Sequence, residues 1–271
     1  MALFERYIAI DYSGAKTADD PLPGLRAYLA TRTAPPRPVR PPIRGRHWTR
    51  RHLAEWLAQV LETGGPTLVG IDHGFSFPLS YFIEHHLPLD WDLFLLDFER
   101  HWPARQPGIR IDDLRRGIVG HAARRQGNSR WLRLCDIAAG AAKSVFLFDV
   151  NGSVAKSTHA GLPWLLYLRG RLGSRAHFWP FDGWTPRYGA SIICEIYPSL
   201  WRHAYPRRNR TPDQHDAYAA CRRLREADLS RELPLWLSPP RDPDTERLAR
   251  IEGWILGVAP APSPKVPARS A

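Results

Sequence analysis

The sequence predicts an α/β fold with helices flanking a mixed sheet, and two observations carry that prediction. Apolar segments of strand length recur at 6–11 (RYIAID), 67–72 (TLVGID) and 191–198 (SIICEIYP), each carrying an acid at or near its end. Between and after them lie stretches in which apolar residues recur at helical spacing. Over 271 residues this fits one elaborated domain at 1–258, with a long insertion at about 76–186 between the fourth and fifth strands. The remaining 259–271, rich in proline and small residues, reads as a flexible tail.

In chain order, the first strand runs into the small-residue turn YSGAKT and leaves Asp11 at its tip. Strands are also expected at 25–32 and 43–48, on either side of APPRPVRPPIR. The prolines of that stretch cannot pair continuously inside a sheet, so it reads as an exposed arm or long hairpin loop. Thr49 fits a helix N-cap, and Leu53, Trp56, Leu57, Val60 and Leu61 keep helical spacing until Gly64 and Gly65 stop the run. The strand at 67–72 then delivers Asp72, with His73 and Gly74 turning the chain.

The insertion is aromatic, carries helical signals at 90–100 and 162–172, and is expected to shape a substrate surface. Glu195 lies close to the end of the strand at 191–198, which Pro198 stops. Thr211 and Pro212 suit the N-cap and N1 positions of a helix in which Asp213 and Asp216, three apart, share one face. Ala217, Ala219 and Ala220 would let that helix approach the sheet closely. A last helix is expected at roughly 244–257.

Composition narrows the class. With 44% hydrophobic and 24% charged residues, neither wholesale disorder nor a fibrous protein fits. No segment approaches the ~18 apolar residues of a membrane helix, and the amino terminus lacks a secretory core, so the cytoplasm is the expected compartment and no membrane partner is expected. Cys135, Cys194 and Cys221 are too scattered for a zinc site or a disulfide framework and read as buried small hydrophobes. The net charge is +11, and of the 38 basic residues only Lys16, Lys143, Lys156 and Lys265 are lysine. Arginine forks suit phosphate, so the charge points to nucleic acid, DNA or RNA, although coding bias yields the same arginine richness.

Asp11 and Asp72 each follow a strand that should be buried between layers, a placement that demands a reason. Strand-end side chains converge at the carboxyl edge of an open α/β sheet, where ligands bind. Carboxylates brought together repel one another unless a cation or a raised pKa relieves them, and oxygen donors favour Mg2+ or Mn2+. Asp11, Asp72, Glu195 and Asp216 are therefore the candidate catalytic residues, and the same four with Asp213 are the candidate metal ligands. Paired ions in such a site activate water and stabilise the leaving oxygen of a phosphodiester. Asp11 would bridge them, and Asp72 and Asp216 would complete their shells. Each residue also has a plainer reading. Asp11 and Asp72 would cap turns, Glu195 would pair with an arginine beside Pro198, Asp213 would serve a helix first turn, and His73 would be a turn histidine rather than a proton carrier. Lys143 and Lys156 are candidate phosphate contacts, Glu252 a further acid within ordinary packing, and Trp164, Trp179 and Trp184 stacking platforms or core.

The segments IDYSGAK, GIDHGFSFP, CEIYPSLW, DQHDAYAA and EGWILG resemble, in order and over most of the chain, the signature segments of the DUF429 family of predicted nucleases. That resemblance implies a ribonuclease H-like fold. A more distant similarity to the Holliday-junction resolvase branch of the same superfamily implies acids on the first and fourth strands. It also implies a late Asp-x-x-Asp-Ala element, matched here by Asp213, Asp216 and Ala217. Here Asp72 stands where that branch commonly has glutamate, and the segment after the fourth strand is far longer. The leading expectation is a metal-dependent nuclease. A non-catalytic nucleic-acid or protein binder on the same fold stays open. So does an actin- or sugar-kinase-like phosphotransferase using the turn at Asp11–Gly14, of which only one half is visible.

Overall fold

The computed structural model describes residues 2–41, 47–150 and 152–260. Its first strand, β1 (Arg6–Asp11), pairs antiparallel with β2 (Arg26–Thr31), and β2 with the two-residue edge strand β3 (Arg37–Pro38). The proline-rich arm thus reaches the sheet only at its rim, where a missing N–H costs nothing. Most of the strand expected at 43–48, and most of the tail, fall outside the described residues. Helix α1 (Arg50–Thr63) starts where Thr49 Oγ1 accepts the His52 N–H at 3.1 Å.

β4 (Thr67–Asp72) follows and lies parallel to β1. Next come α2 (Leu79–Glu84), α3 (Trp91–His101), α4 (Ile111–Arg115), α5 (Leu134–Ala139) and α6 (Ala155–Leu172). The short strand β5 (Ala176–Phe178) precedes β6 (Ser191–Glu195), and α7 (Pro212–Leu229), α8 (Leu233–Leu237) and α9 (Pro243–Glu252) complete the chain. The result is an α/β fold with a mixed six-stranded sheet of order β3-β2-β1-β4-β6-β5. Two expectations change. The strand carrying Glu195 is the sixth, because three residues of the expected insertion form a parallel edge strand. The last helix stops at Glu252, because Gly253 adopts φ +82, a left-handed conformation that ends helices. Trp254–Leu256 instead run beside β6, with Ile255 bridged to Glu195 and the Leu256 N–H donating to the Glu195 carbonyl at 2.9 Å.

Strand alternation divides the core into two layers. Ile8, Ile10, Val69, Ile71 and Ile193 face α1, α3 and α6, whereas Tyr7, Ala9, Leu68, Ile192 and Cys194 face α7 and the end of the chain. Residues 76–178 contribute Phe77, Phe94, Leu162 and Phe178 to the first layer, so this region builds the core of one face as well as extending the surface. Gly70 marks the closest approach on the other face. A Cβ there would lie 2.6 Å from Ile196 and 3.1 Å from Leu224. The three cysteines are free and buried, and Trp164, Trp179 and Trp184 are core residues. Among the described residues no helix is long and apolar enough to cross a membrane.

The end of α7 is fastened to the start of β1 by Asp228. Its buried carboxylate accepts the N–H groups of Leu3 (2.8 Å) and Phe4 (2.9 Å) and the Tyr7 hydroxyl (2.7 Å). Asp228→Ala leaves the buried Phe4 N–H without an acceptor and the Tyr7 hydroxyl with only the Phe4 carbonyl at 3.2 Å, and is expected to cost about 1–3 kcal/mol in urea unfolding. A loss within about 0.5 kcal/mol would show that the carboxylate is not the fastener.

Candidate active site at the strand ends

The parallel pairing of β1 with β4 sets Asp11 directly opposite Asp72 at the carboxyl edge of the sheet. Glu195 ends β6 one row lower, opposite Ile71. From above, α7 brings Asp216 near its N-terminus, in a helix opened by the reciprocal cap of Thr211 with Gln214. All four candidate catalytic acids line one cavity of about 450 Å3, together with Tyr12, His73, Arg133, Lys143 and Arg202. Asp213 does not line it. It lies on the Ser13–Gly24 side of α7, yet its charge still acts on Asp11.

The electrostatics concentrate on the aspartate pair. Burial, followed by the charges of Asp72, Asp213 and Asp216, pushes the Asp11 carboxyl well above the ordinary range. Asp72 is pushed up to about 7, first by burial and then by Asp216. Set side by side by the strand register, the two carboxyl groups resist ionising together. Asp213 is also raised, chiefly by burial, with Arg26 opposing. Counter-charge comes from Arg202, 3.4 Å from Asp216.

Glu195 has different company. With a period of two, its side chain leaves the sheet on the Ile71 and Ile193 face, whereas Asp11 and Asp72 share the parity of Ala9 and Gly70 and lie on the α7 face. There the buried Arg133 grips both Glu195 oxygens, at 2.7 and 2.6 Å, while also holding Asp136 at 2.9 Å. The Phe75 N–H donates to Glu195 Oε2 at 3.0 Å. Burial still leaves the Glu195 carboxyl above its usual range. Its ion pair is therefore with an arginine from the 76–186 region, not one beside Pro198. Glu252 joins the same structural network, its carboxylate accepting the N–H of Leu79 at 2.6 Å and of Leu134 at 2.8 Å, at the starts of α2 and α5.

The remaining candidates separate cleanly. Lys143 lines the cavity, whereas Lys156 is turned to Asp112 at 2.8 Å. His73 is buried beside Gly74 O and packs edge-on to Tyr12 at 4.6 Å. Burial lowers its pKa to about 4, so the imidazole is neutral near pH 7. Sequence reasoning missed Arg133, Asp136 and Arg202. The one signal available was the Arg133-x-x-Asp136 spacing at a helix start, common among surface pairs.

For the metal-free protein the sign of the pH dependence follows from Asp72. An unfolded aspartate titrates near 3.9, so between about pH 4 and 7 the native state keeps a proton that the unfolded chain has released. Stability therefore falls as pH rises through that window, by up to about 1.4 kcal/mol per pH unit. Asp72→Asn is expected to flatten the profile and, at pH 8, to be more stable than the metal-free parent. Glu195→Gln is expected to lose about 3 kcal/mol, because it leaves half of a buried ion pair unmatched. Urea midpoints at pH 5 and 8 check both. Equal pH slopes for parent and Asp72→Asn would refute the close pair, and a neutral Glu195→Gln the network.

Comparison with protein-family models, curated proteins and solved structures finds no match, so the function rests on the site's own chemistry.

Proposed function

We propose that the protein is a divalent-metal-dependent nuclease of ribonuclease H-like fold, hydrolysing phosphodiester bonds of nucleic acid at the Asp11–Asp72 pair. One observation carries the reading: two half-buried carboxyls stand in register on adjacent parallel strands, Asp72 raising the pKa of Asp11, at the floor of a cavity that also presents Lys143 and Arg202. The acids on the first and fourth strands and on the late helix agree with the resemblance noted in the sequence.

The donor set suits Mg2+ or Mn2+. Among the described residues no three His, Cys, Asp or Glu side chains form a ready metal cage. Mg2+ seldom needs one, since it keeps several waters and is held by one or two carboxylates plus substrate phosphate. A cation held between them would relieve the repulsion between Asp11 and Asp72. Asp11 and Asp72 would hold it, with Asp216 alongside and Asp213 adding charge from behind. Glu195, saturated by Arg133 and Phe75, positions the strand end. Bound there, the ion supplies Lewis-acid polarisation of a phosphoryl oxygen and acidifies water.

The chain's own residues account for the rest. Lys143 and Arg202 offset phosphate charge and orient the phosphodiester across the cavity mouth. Neutral His73 buttresses Tyr12 and, with its low pKa, donates no imidazolium proton at pH 7.

The test pairs binding with cleavage. Mn2+ at ~100 times its dissociation constant should add about 2.7 kcal/mol, raising the melting midpoint by several degrees. Asp11→Asn and Asp72→Asn are expected to lose both that shift and the Mn2+-dependent cleavage of a panel of linear, branched, DNA and RNA substrates. A shift retained by both variants, or binding without cleavage of any substrate, would overturn the reading.

A further inference from the structure

A second cavity, of about 310 Å3, adjoins the acidic one. The two share Arg202 and Asp216, whose 3.4 Å contact forms the wall between them. Beyond that wall the character reverses: His203, Arg207 and His215 replace the aspartates. The segment that supplies Arg207 is held by its own contacts. The Arg207 Nε donates to the Arg210 carbonyl at 2.8 Å, and Arg210 returns hydrogen bonds to the carbonyls of Pro206 and Arg207, each at 3.2 Å. The Arg210 guanidinium lies 3.4 Å from the centre of the Tyr218 ring, which anchors the loop to α7.

Neither Arg207, Arg208 nor Arg210 forms an ion pair among the described residues, whereas the cavity-lining Arg133, Arg169 and Arg202 each do. Arginine this free of carboxylates, on a loop fixed in advance, loses little entropy when an anion arrives. His215 backs this cavity: it is 7% exposed, and its Nε2 meets the Arg202 carbonyl at 2.9 Å.

We infer that Arg202, His203 and Arg207 form a phosphate subsite for the phosphate next to the scissile one, so that the substrate is an oligonucleotide strand rather than a mononucleotide. The inference rests on the nuclease reading for the acidic cavity and extends it across the Arg202–Asp216 wall. A phosphate entering the basic side competes with Asp216 for Arg202, and the released Asp216 carboxylate then turns its full charge to the acidic side. Occupancy of one subsite thereby favours a cation in the other.

The two readings are separated by measuring binding in EDTA, where no metal site operates. The probe is a fluorescein-labelled single-stranded DNA 20-mer, followed by anisotropy across a salt series. Arg207→Gln is exposed and outside the core, so folding is not at stake. It is expected to weaken binding about three- to tenfold and to lower the slope of log affinity against log salt by about one. Arg207→Lys should recover most of the slope but only part of the affinity, since it keeps the charge and loses the fork. Arg247→Gln, which removes an exposed charge on α9, should leave both unchanged. Equal losses in Arg207→Gln and Arg247→Gln, or no binding by the parent, would overturn the subsite. Binding sensitive to Arg207 in a protein that cleaves nothing with Mn2+ would retain the subsite while sinking the nuclease assignment.

Discussion

The register between β1 and β4 is the constraint on which the rest depends. A slip of one residue between them would leave one aspartate on the α7 face and turn the other away, with Ile10 or Ile71 brought toward α7 in its place. In the register observed, two half-buried carboxyls meet side by side at the floor of the cavity, and neither can ionise freely while the other does. Such a pair is unfavourable to folding at neutral pH unless something positive occupies it. Sites of this kind are where function accounts for what stability alone would remove.

The second face of the sheet uses the opposite solution. Glu195 also ends a central strand, yet its charge is matched within the protein by Arg133, which simultaneously binds Asp136 at the start of α5. Buried ion pairs add little net stability over apolar packing but are costly to break. Their use here is geometric: the Arg133 guanidinium ties β6 to α5, Glu195 holds the turn after β4 through the Phe75 N–H, and Glu252 caps from α9. The fold thus separates a carboxylate that is satisfied from two that are not, across a single sheet and within one cavity.

Much of this arrangement was legible because it is local. RYIAID and TLVGID announce their strands and the acids at their tips, and Thr49 and Thr211 announce the helix starts they cap. What escaped depends on pairing. The sequence shows that Glu195 sits at a strand end, but which face it takes depends on its alignment with Ile71, a relation between residues over a hundred positions apart. Arg133 carries no local mark of burial, since beyond Asp136 its partners, Glu195 and the Glu252 carbonyl, come from distant segments. β5 has three residues, too few for periodicity to register. EGWILG read as helix because its apolar spacing is helical, whereas the backbone at Gly253 decides otherwise.

The net charge of +11 does not by itself explain attraction to a polyanion, because fields from scattered surface arginines fade within about 8 Å at physiological salt. Many of these arginines are also held by neighbouring carboxylates. What counts is where positive charge is left unspent next to negative charge that is likewise unspent. The structure has such a boundary at Arg202 and Asp216, with the Asp11–Asp72 pair on one side and a loop carrying Arg207 on the other. A ligand able to satisfy both must itself alternate, carrying its own negative charge along its length and a metal ion at one point. A nucleic-acid strand with a divalent cation at one phosphate meets that description, and a lone anion or a lone cation satisfies only half of it.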